Sequence, residues 1–212
     1  MGARFLDDEA SAAFKQAIET IEATSGVEVV VAVRRRSSGY LHANLIVGAV
    51  VAFAALAVML FASYSFSLLS ILVDPFAVGA LAGGLVELLP QVKRWLTPGA
   101  VRHRHVSHGA RAAFVDRGVH NTIDRSGLLV YISWLEQDVA LVADSGLDRA
   151  LTSDVLVAFE EQLTAVMPRG GVAFAQALAG LAPRFAAAVP RREGDLNELP
   201  DTLDSDIARS RA

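Results

Sequence analysis

Residues 45 to 62 read LIVGAVVAFAALAVMLFA, a run of 18 side chains with no charge and no amide among them. As a helix rising 1.5 Å per residue it covers about 27 Å, close to the ~30 Å hydrocarbon thickness of a bilayer. Residues 41 to 44 and Ser63 complete a span. The competing reading is a buried core helix, but such helices are usually shorter or keep a polar edge. The run therefore reads as a membrane-crossing helix over residues 42 to 63.

A second apolar stretch follows at once, from residue 68 to about 90, interrupted by Asp74, Pro75 and Glu87. Only Ser63, Tyr64, Ser65, Phe66 and Ser67 lie between, a turn whose two aromatic rings suit a membrane interface. Two spans and a short turn make a transmembrane hairpin over residues 41 to 92. Gly79 and Gly83 form a G-x-x-x-G, and Gly48 and Ala52 give the first span a small-residue face. These small faces suit close packing of the two helices on each other, and an intermolecular dimer reads the same way. Asp74 followed by Pro75 reads as an N-cap before the first residue of a helix, and an ionisable group inside a span also suggests function.

The cationic side chains set the orientation. Arg34, Arg35 and Arg36 precede the first span, and Lys93, Arg94, Arg102, Arg104 and Arg111 follow the second; the turn has none. Positive flanks stay cytoplasmic, so both termini are expected on the cytoplasmic side of the inner membrane, with no secretory leader ahead of the hairpin. Residues 93 to 108 read as a basic juxtamembrane segment. Together with the cations before the first span, this makes Arg34, Arg35, Arg36, Lys93, Arg94, Arg102 and Arg104 the candidate contacts with anionic lipid head groups. His103, His105 and His108 lie in this segment, but on a helix only the last two share a face, so no metal site is assigned.

Composition agrees with this division. The chain is 53% hydrophobic with a mean hydropathy of +0.40, high for a soluble protein of 212 residues. It has no cysteine, which fits a reducing compartment. A net charge of -4 and an isoelectric point near 5.7 argue against nucleic acid as a partner.

On either side of the hairpin the pattern changes to that of a globular domain. Residues 5 to 25 place Leu6, Ala10, Ala13, Phe14, Ala17, Ile18 and Ile21 on one helical stripe behind the N-cap Asp7, and Gly26 closes it. Residues 27 to 33, VEVVVAV, read as a buried strand. Beyond the hairpin a helix is expected over 110 to 119, strands over 127 to 134 and 138 to 143, then a turn at Asp144-Ser145-Gly146. Helices are expected over 153 to 166 and 172 to 188, and a loosely ordered acidic tail over 191 to 212. Residues 1 to 37 with 109 to 190 thus form one discontinuous α/β domain, a small sheet covered by helices.

The order of pieces resembles the TPM domain family, in its bacterial membrane-bound members with a two-helix insertion after the first strand. The resemblance rests on FLDDE at 5 to 9, TSGVEVVVAV at 24 to 33, VHNTIDRSGLLVYISWLEQDVALVADSGL at 119 to 147 and GDLNELPD at 194 to 201. It implies a Rossmann-like α/β sandwich. It also implies two activities found in the family: calcium binding with weak acid phosphatase activity, and assembly or repair of membrane complexes. Phosphatase-type members carry an acidic D-D-x-G pattern before the first helix. Residues 1 to 4 lack it, and Asp144-Ser145-Gly146 replaces a glycine-rich stretch, which counts against phosphate chemistry.

Five polar residues coincide with polar positions of the membrane-bound members: Glu28, His120, Thr122, Arg125 and Asp144. With strands one and two parallel and two and three antiparallel, Glu28, Arg125 and Asp144 fall at one end of the sheet. Such an end can hold a cation or a charged partner group, and it can equally be a network tying loops together, the reading we prefer. In the tail, Asn197, Glu198, Leu199, Pro200 and Asp201 form a candidate partner motif, against the simpler reading that Leu199 docks on its own domain. With no nucleophile elbow, phosphate loop or paired metal-ligand motif, the expected function is a non-enzymatic adaptor at the membrane. Its partners by resemblance are other TPM-domain or LemA-like proteins. The alternative is a weak metal-dependent phosphatase, with calcium as the ion the resemblance implies.

Overall fold

Val29, Val31 and Val33 point to one side of the chain and Val30 and Ala32 to the other, and both sides are buried. A strand apolar on both faces needs a layer of protein above and below it. In the computed structural model, which describes residues 5–192, 198–199 and 203–207, that strand is β1 (Glu28–Arg34). It follows α1 (Asp8–Thr24), whose N-cap Asp7 accepts a hydrogen bond from the Ala10 amide at 2.8 Å.

β1 pairs in parallel with β2 (Gly127–Ser133) over seven residues, Glu28 opposite Gly127 through Arg34 opposite Ser133. The pairing bridges some 90 residues of intervening sequence. β2 pairs antiparallel with β3 (Asp138–Ala143), and β4 (Asp204–Ser205) adds to the outer edge of β1 in parallel, giving the order β3-β2-β1-β4. The protein is thus mixed α/β with a small mixed sheet.

Each face of the sheet has its own core. One gathers Val29, Val31, Val33, Leu128, Val130 and Ile132 under α1 and four later helices, α6 (Ser145–Ala150), α7 (Ser153–Val166), α8 (Gly171–Ala179) and α9 (Ala182–Ala188). The other packs Val30, Ala32, Leu129 and Tyr131 against Val106, Ala110 and Ala113 of α5 (Gly99–Asp116). Burying side chains of this size contributes about 1.5–3 kcal/mol each before chain entropy is subtracted.

Four elements differ from the sequence expectation. The basic stretch 93 to 108 is folded into α4 (Pro90–Leu96) and the first half of α5, and Val106 within it is a core residue. The helix expected at 172 to 188 breaks into α8 and α9, because Pro183 has no N–H to continue the ladder. Asp144 caps α6 rather than ending a strand in a simple turn; its Oδ1 accepts from the Ser145 amide at 2.6 Å. Part of the tail is strand β4.

Between β1 and α5 lie two long helices, α2 (Leu41–Phe61) and α3 (Leu68–Leu85). The chain divides into two compact units, Met1–Ser38 with Arg102–Ala212, and Gly39–Val101. In the second unit, α2 and α3 meet along the small-residue seam. A Cβ on Gly79 would sit 2.6 Å from the Gly48 carbonyl oxygen, and one on Gly83 2.7 Å from that of Asn44. Only glycine permits this approach, and the contact is intramolecular. Asp74 is not an N-cap: α3 is capped by Ser67, whose Oγ accepts from the Ser70 amide at 3.1 Å, and runs from Leu68 through Pro75. Starting there gives residues 68 to 73 internal backbone hydrogen bonds, which an isolated apolar lead-in would lack.

Both helices are long and apolar enough to cross a membrane. None of the most apolar stretch of α2 is buried, and 22% of that of α3.

Candidate functional site

The parallel strands β1 and β2 begin together at the end of the sheet where β3 finishes, and this register gathers the expected polar residues. Glu28 opens β1 and is almost fully buried; its Oε2 accepts from the backbone amides of Glu198 and Leu199, each at 3.2 Å. Arg125 precedes β2 with φ near +55°, a left-handed conformation uncommon outside glycine. That geometry turns its carbonyl toward α6, where it accepts from Gly146 at 2.9 Å and Leu147 at 3.2 Å. A Cβ on Gly146 would lie 2.4 Å from the Asp124 carbonyl oxygen, so the D-S-G glycine is required by this close approach.

The Arg125 side chain donates to the His120 carbonyl at 3.0 Å and lies 3.8 Å from the buried Asp144 Oδ2. Thr122 is buried and its Oγ1 accepts from the Ser126 amide at 3.0 Å. His120 stacks at 6.1 Å from Phe114. These contacts close loops: Thr122 folds residues 122 to 126, Arg125 joins two of them, and Glu28 holds the tail. Among the described residues no group of three His, Asp or Glu side chains is placed to hold a metal ion.

The tail motif is partly described. Leu199 is half-buried against the Val30–Leu129 core, and Glu198 Oε2 accepts from the Ile123 amide at 2.8 Å. Asn197, Pro200 and Asp201 lie outside the described residues.

The opposite end of the sheet, where β1 and β2 finish, carries the more developed electrostatics. A depression of about 390 Å³ is lined by Arg34, Ala112, Asp116, Arg117 and Tyr131. Asp204 of β4 sits between the two arginines, ion-paired to Arg34 and to Arg117 at 2.5 Å. Asp206 accepts from the Arg35 amide at 2.6 Å, and its own amide donates to the Val33 carbonyl at 3.2 Å. Burial pushes the Tyr131 phenol above its ordinary pKa, partly offset by a Ser37 hydrogen bond and the Arg34 charge. Behind it the buried Glu136 accepts from the Ser133 hydroxyl and from the Ser37 amide at 3.0 Å.

The expected lipid-contacting cations are divided in their roles. Arg34 is engaged with Asp204. Lys93 is buried, with Nζ 2.6 Å from Glu87, and so is not a surface cation. Arg35, Arg36, Arg94 and Arg104 are exposed, and Arg102 is half-buried. His103 pairs with Asp138 at 2.9 Å.

Two polar residues that matter here were not singled out from the sequence. Glu22 on α1 accepts from the Val29 amide at 3.0 Å, and Glu160 on α7 from Leu141 at 2.7 Å. Each blocks part of a sheet edge that would otherwise offer open backbone groups. Burial raises the Glu160 pKa, partly offset by that amide bond and by His103. The one available clue was an acidic residue placed among apolar ones on α1 and α7.

No family model matches the chain, and no curated protein matches it. Its fold is similar to the NMR structure of the BA42 protein from the psychrophilic bacterium Bizionia argentinensis. The TM-score is 0.57 at 14% identity, with 95% of each chain covered.

Proposed function

We propose that this chain is a membrane-anchored protein of the TPM-domain type, with a Rossmann-like domain acting as a non-enzymatic binding module. One observation carries the anchor: α2 is as apolar as the sheet core yet leaves its side chains uncovered, with Phe53 72% and Phe61 88% exposed. Water disfavours such a surface by about 25 cal/mol per Å², whereas lipid chains accept it. In this reading α2 and α3 cross the inner membrane as a hairpin and both termini are cytoplasmic. Arg35, Arg36, Arg94 and Arg104 then meet anionic head groups.

The adaptor reading draws on the site. Glu28, Thr122 and Arg125 spend their hydrogen bonds on loops and tail, while His120 Nδ1 and Asp144 Oδ2 are buried with no hydrogen-bond partner among the described residues; the loop and tail contacts suit a surface that presents shape and charge. Protein partners of the TPM-domain or LemA-like type follow from the sequence resemblance. A photoreactive residue placed at the exposed Val115, Ile123 or Val157 of the membrane-embedded protein tests this. Capture of a defined protein from at least one position is expected. Labelling by lipid or solvent alone at all three overturns the adaptor role.

A further inference from the structure

The outer edge of β1 is covered piecemeal. Near its start the Val29 amide is taken by the Glu22 side chain, and only Ala32 and Val33 pair with another strand, the two-residue β4. A strand of that length is far below the usual five or six residues and has little ladder of its own. Its attachment is instead electrostatic: Asp204 between Arg34 and Arg117, and Asp206 on the Arg35 amide. Upstream, Glu28 clamps the backbone at residues 198 and 199, and Leu199, Leu203 and Ile207 add half-buried apolar contacts. The described tail residues, 198–199 and 203–207, therefore meet β1 as an extended ligand meets a receptive sheet edge. Backbone pairing supplies its direction, and alternate side chains supply its recognition.

We propose that this edge is a peptide-binding groove which the chain's own tail occupies in cis. In trans it accepts an extended segment of a partner protein bearing two carboxylates two residues apart. The inference rests on the reading of the chain as a binding module and names the chemistry of its partner. The receptor is the Arg34–Arg117 pair, the Arg35 amide and the Val33 carbonyl, which accepts from the Asp206 amide. The spacing is dictated by the strand: carboxylates at positions i and i+2 project from one side, the first reaching the Arg34–Arg117 pair as Asp204 does and the second the Arg35 backbone amide as Asp206 does. The 390 Å³ depression beside Arg34 and Tyr131 leaves room for a larger side chain next to the first carboxylate. The tethered tail competes at an effective concentration of roughly millimolar, so it acts as a built-in threshold that weak acidic segments do not cross.

The test uses the full chain in phosphatidylcholine nanodiscs and a fluorescent peptide with the sequence of residues 198 to 207, ELPDTLDSDI. The wild type should bind it weakly. The double variant Asp204→Asn, Asp206→Asn, with its own tail disarmed and its arginines intact, should bind about tenfold more tightly, the gain expected when a competitor at about 1 mM with its own Kd of about 0.1 mM is lost. Adding Arg34→Ala to that variant should remove the gain, and raising salt should weaken it. Equal affinity of wild type and double variant, or a gain that survives Arg34→Ala, overturns the proposal. Should the double variant not fold, hydrogen exchange on the wild type decides. Residues 203 to 207 should exchange at least about tenfold faster than β2, and equal protection makes the tail a fixed strand and the groove illusory. If the peptide fails while photocrosslinking captures a partner elsewhere, the groove falls and the adaptor reading stands.

Discussion

Residues 29 to 33 of β1, VVVAV, and residues 49 to 58 of α2, AVVAFAALAV, are both wholly apolar and have opposite surroundings. The first are at most 6% exposed, whereas Val50, Phe53 and Val58 are each more than 60% exposed. A strand has open backbone groups along both sides and must recruit neighbours, and β1 recruits β2, β4 and two layers of helix. A 21-residue helix satisfies its own backbone and needs only an apolar medium. α2 accordingly spends Gly48 and Ala52 on one partner, α3, and leaves the rest of its surface outward. Apolar content alone does not separate the two cases; the backbone's hydrogen-bond needs do.

The largest expected effect follows directly from this contrast. Val31→Asp places a carboxylate in the core at a fully buried position and should abolish cooperative unfolding of the sheet-containing unit, a loss of more than about 4 kcal/mol. Phe53→Asp, at an exposed position of equally apolar sequence, should leave that unit's melting temperature unchanged and lower membrane retention. Equal destabilisation by both would mean α2 belongs to a protein core, and the comparison would break. Next in size is Gly79→Leu, whose Cβ would meet the Gly48 carbonyl. It should separate α2 from α3 at a cost of about 1–3 kcal/mol, seen as lost crosslinking between the helices in detergent.

Leu199→Ala removes one half-buried side chain and should lower the melting temperature of the protein by a few degrees, about 1 kcal/mol. An unchanged melting point with loss of a bound partner would instead make Leu199 a recognition residue. The smallest effect concerns Glu160. Burial raises its folded pKa above the unfolded value, so between the two values the native state holds more protons than the unfolded chain. Its contribution is therefore most favourable below the unfolded pKa and declines as pH rises through the folded pKa. Glu160→Gln should flatten that decline in denaturant titrations across the acidic range. A steeper decline would reverse the assigned sign.

The sequence was most legible where turn residues bracket an element. β3 and α7 span the very residues expected of them, Asp138–Ala143 ahead of Asp144-Ser145-Gly146 and Ser153–Val166 ahead of Pro168 to Gly171. α5 was half hidden because its core contacts, Val106, Ala110 and Ala113, are interleaved with arginines and histidines that mask the stripe. At the start of the sheet, Glu28, Arg125 and Asp144 could be placed together, since strand direction alone fixes which end each occupies. At the other end, the partners of Arg34 lie 170 residues away in a tail with no periodicity. Nothing local marks Asp204 as a strand residue; the pairing exists only once β1 presents its edge.

The hairpin's crossing of the membrane is the claim on which localisation and orientation both depend, and the absence of cysteine makes it directly measurable. Single cysteines placed at Ser65 in the turn, at Arg36 before α2 and at Arg94 after α3 can be probed with a membrane-impermeant maleimide on intact spheroplasts and after lysis. The account predicts labelling of Ser65→Cys in both conditions, and of Arg36→Cys and Arg94→Cys only after lysis. Protection of Ser65→Cys in intact spheroplasts, or labelling of either arginine position before lysis, would contradict it.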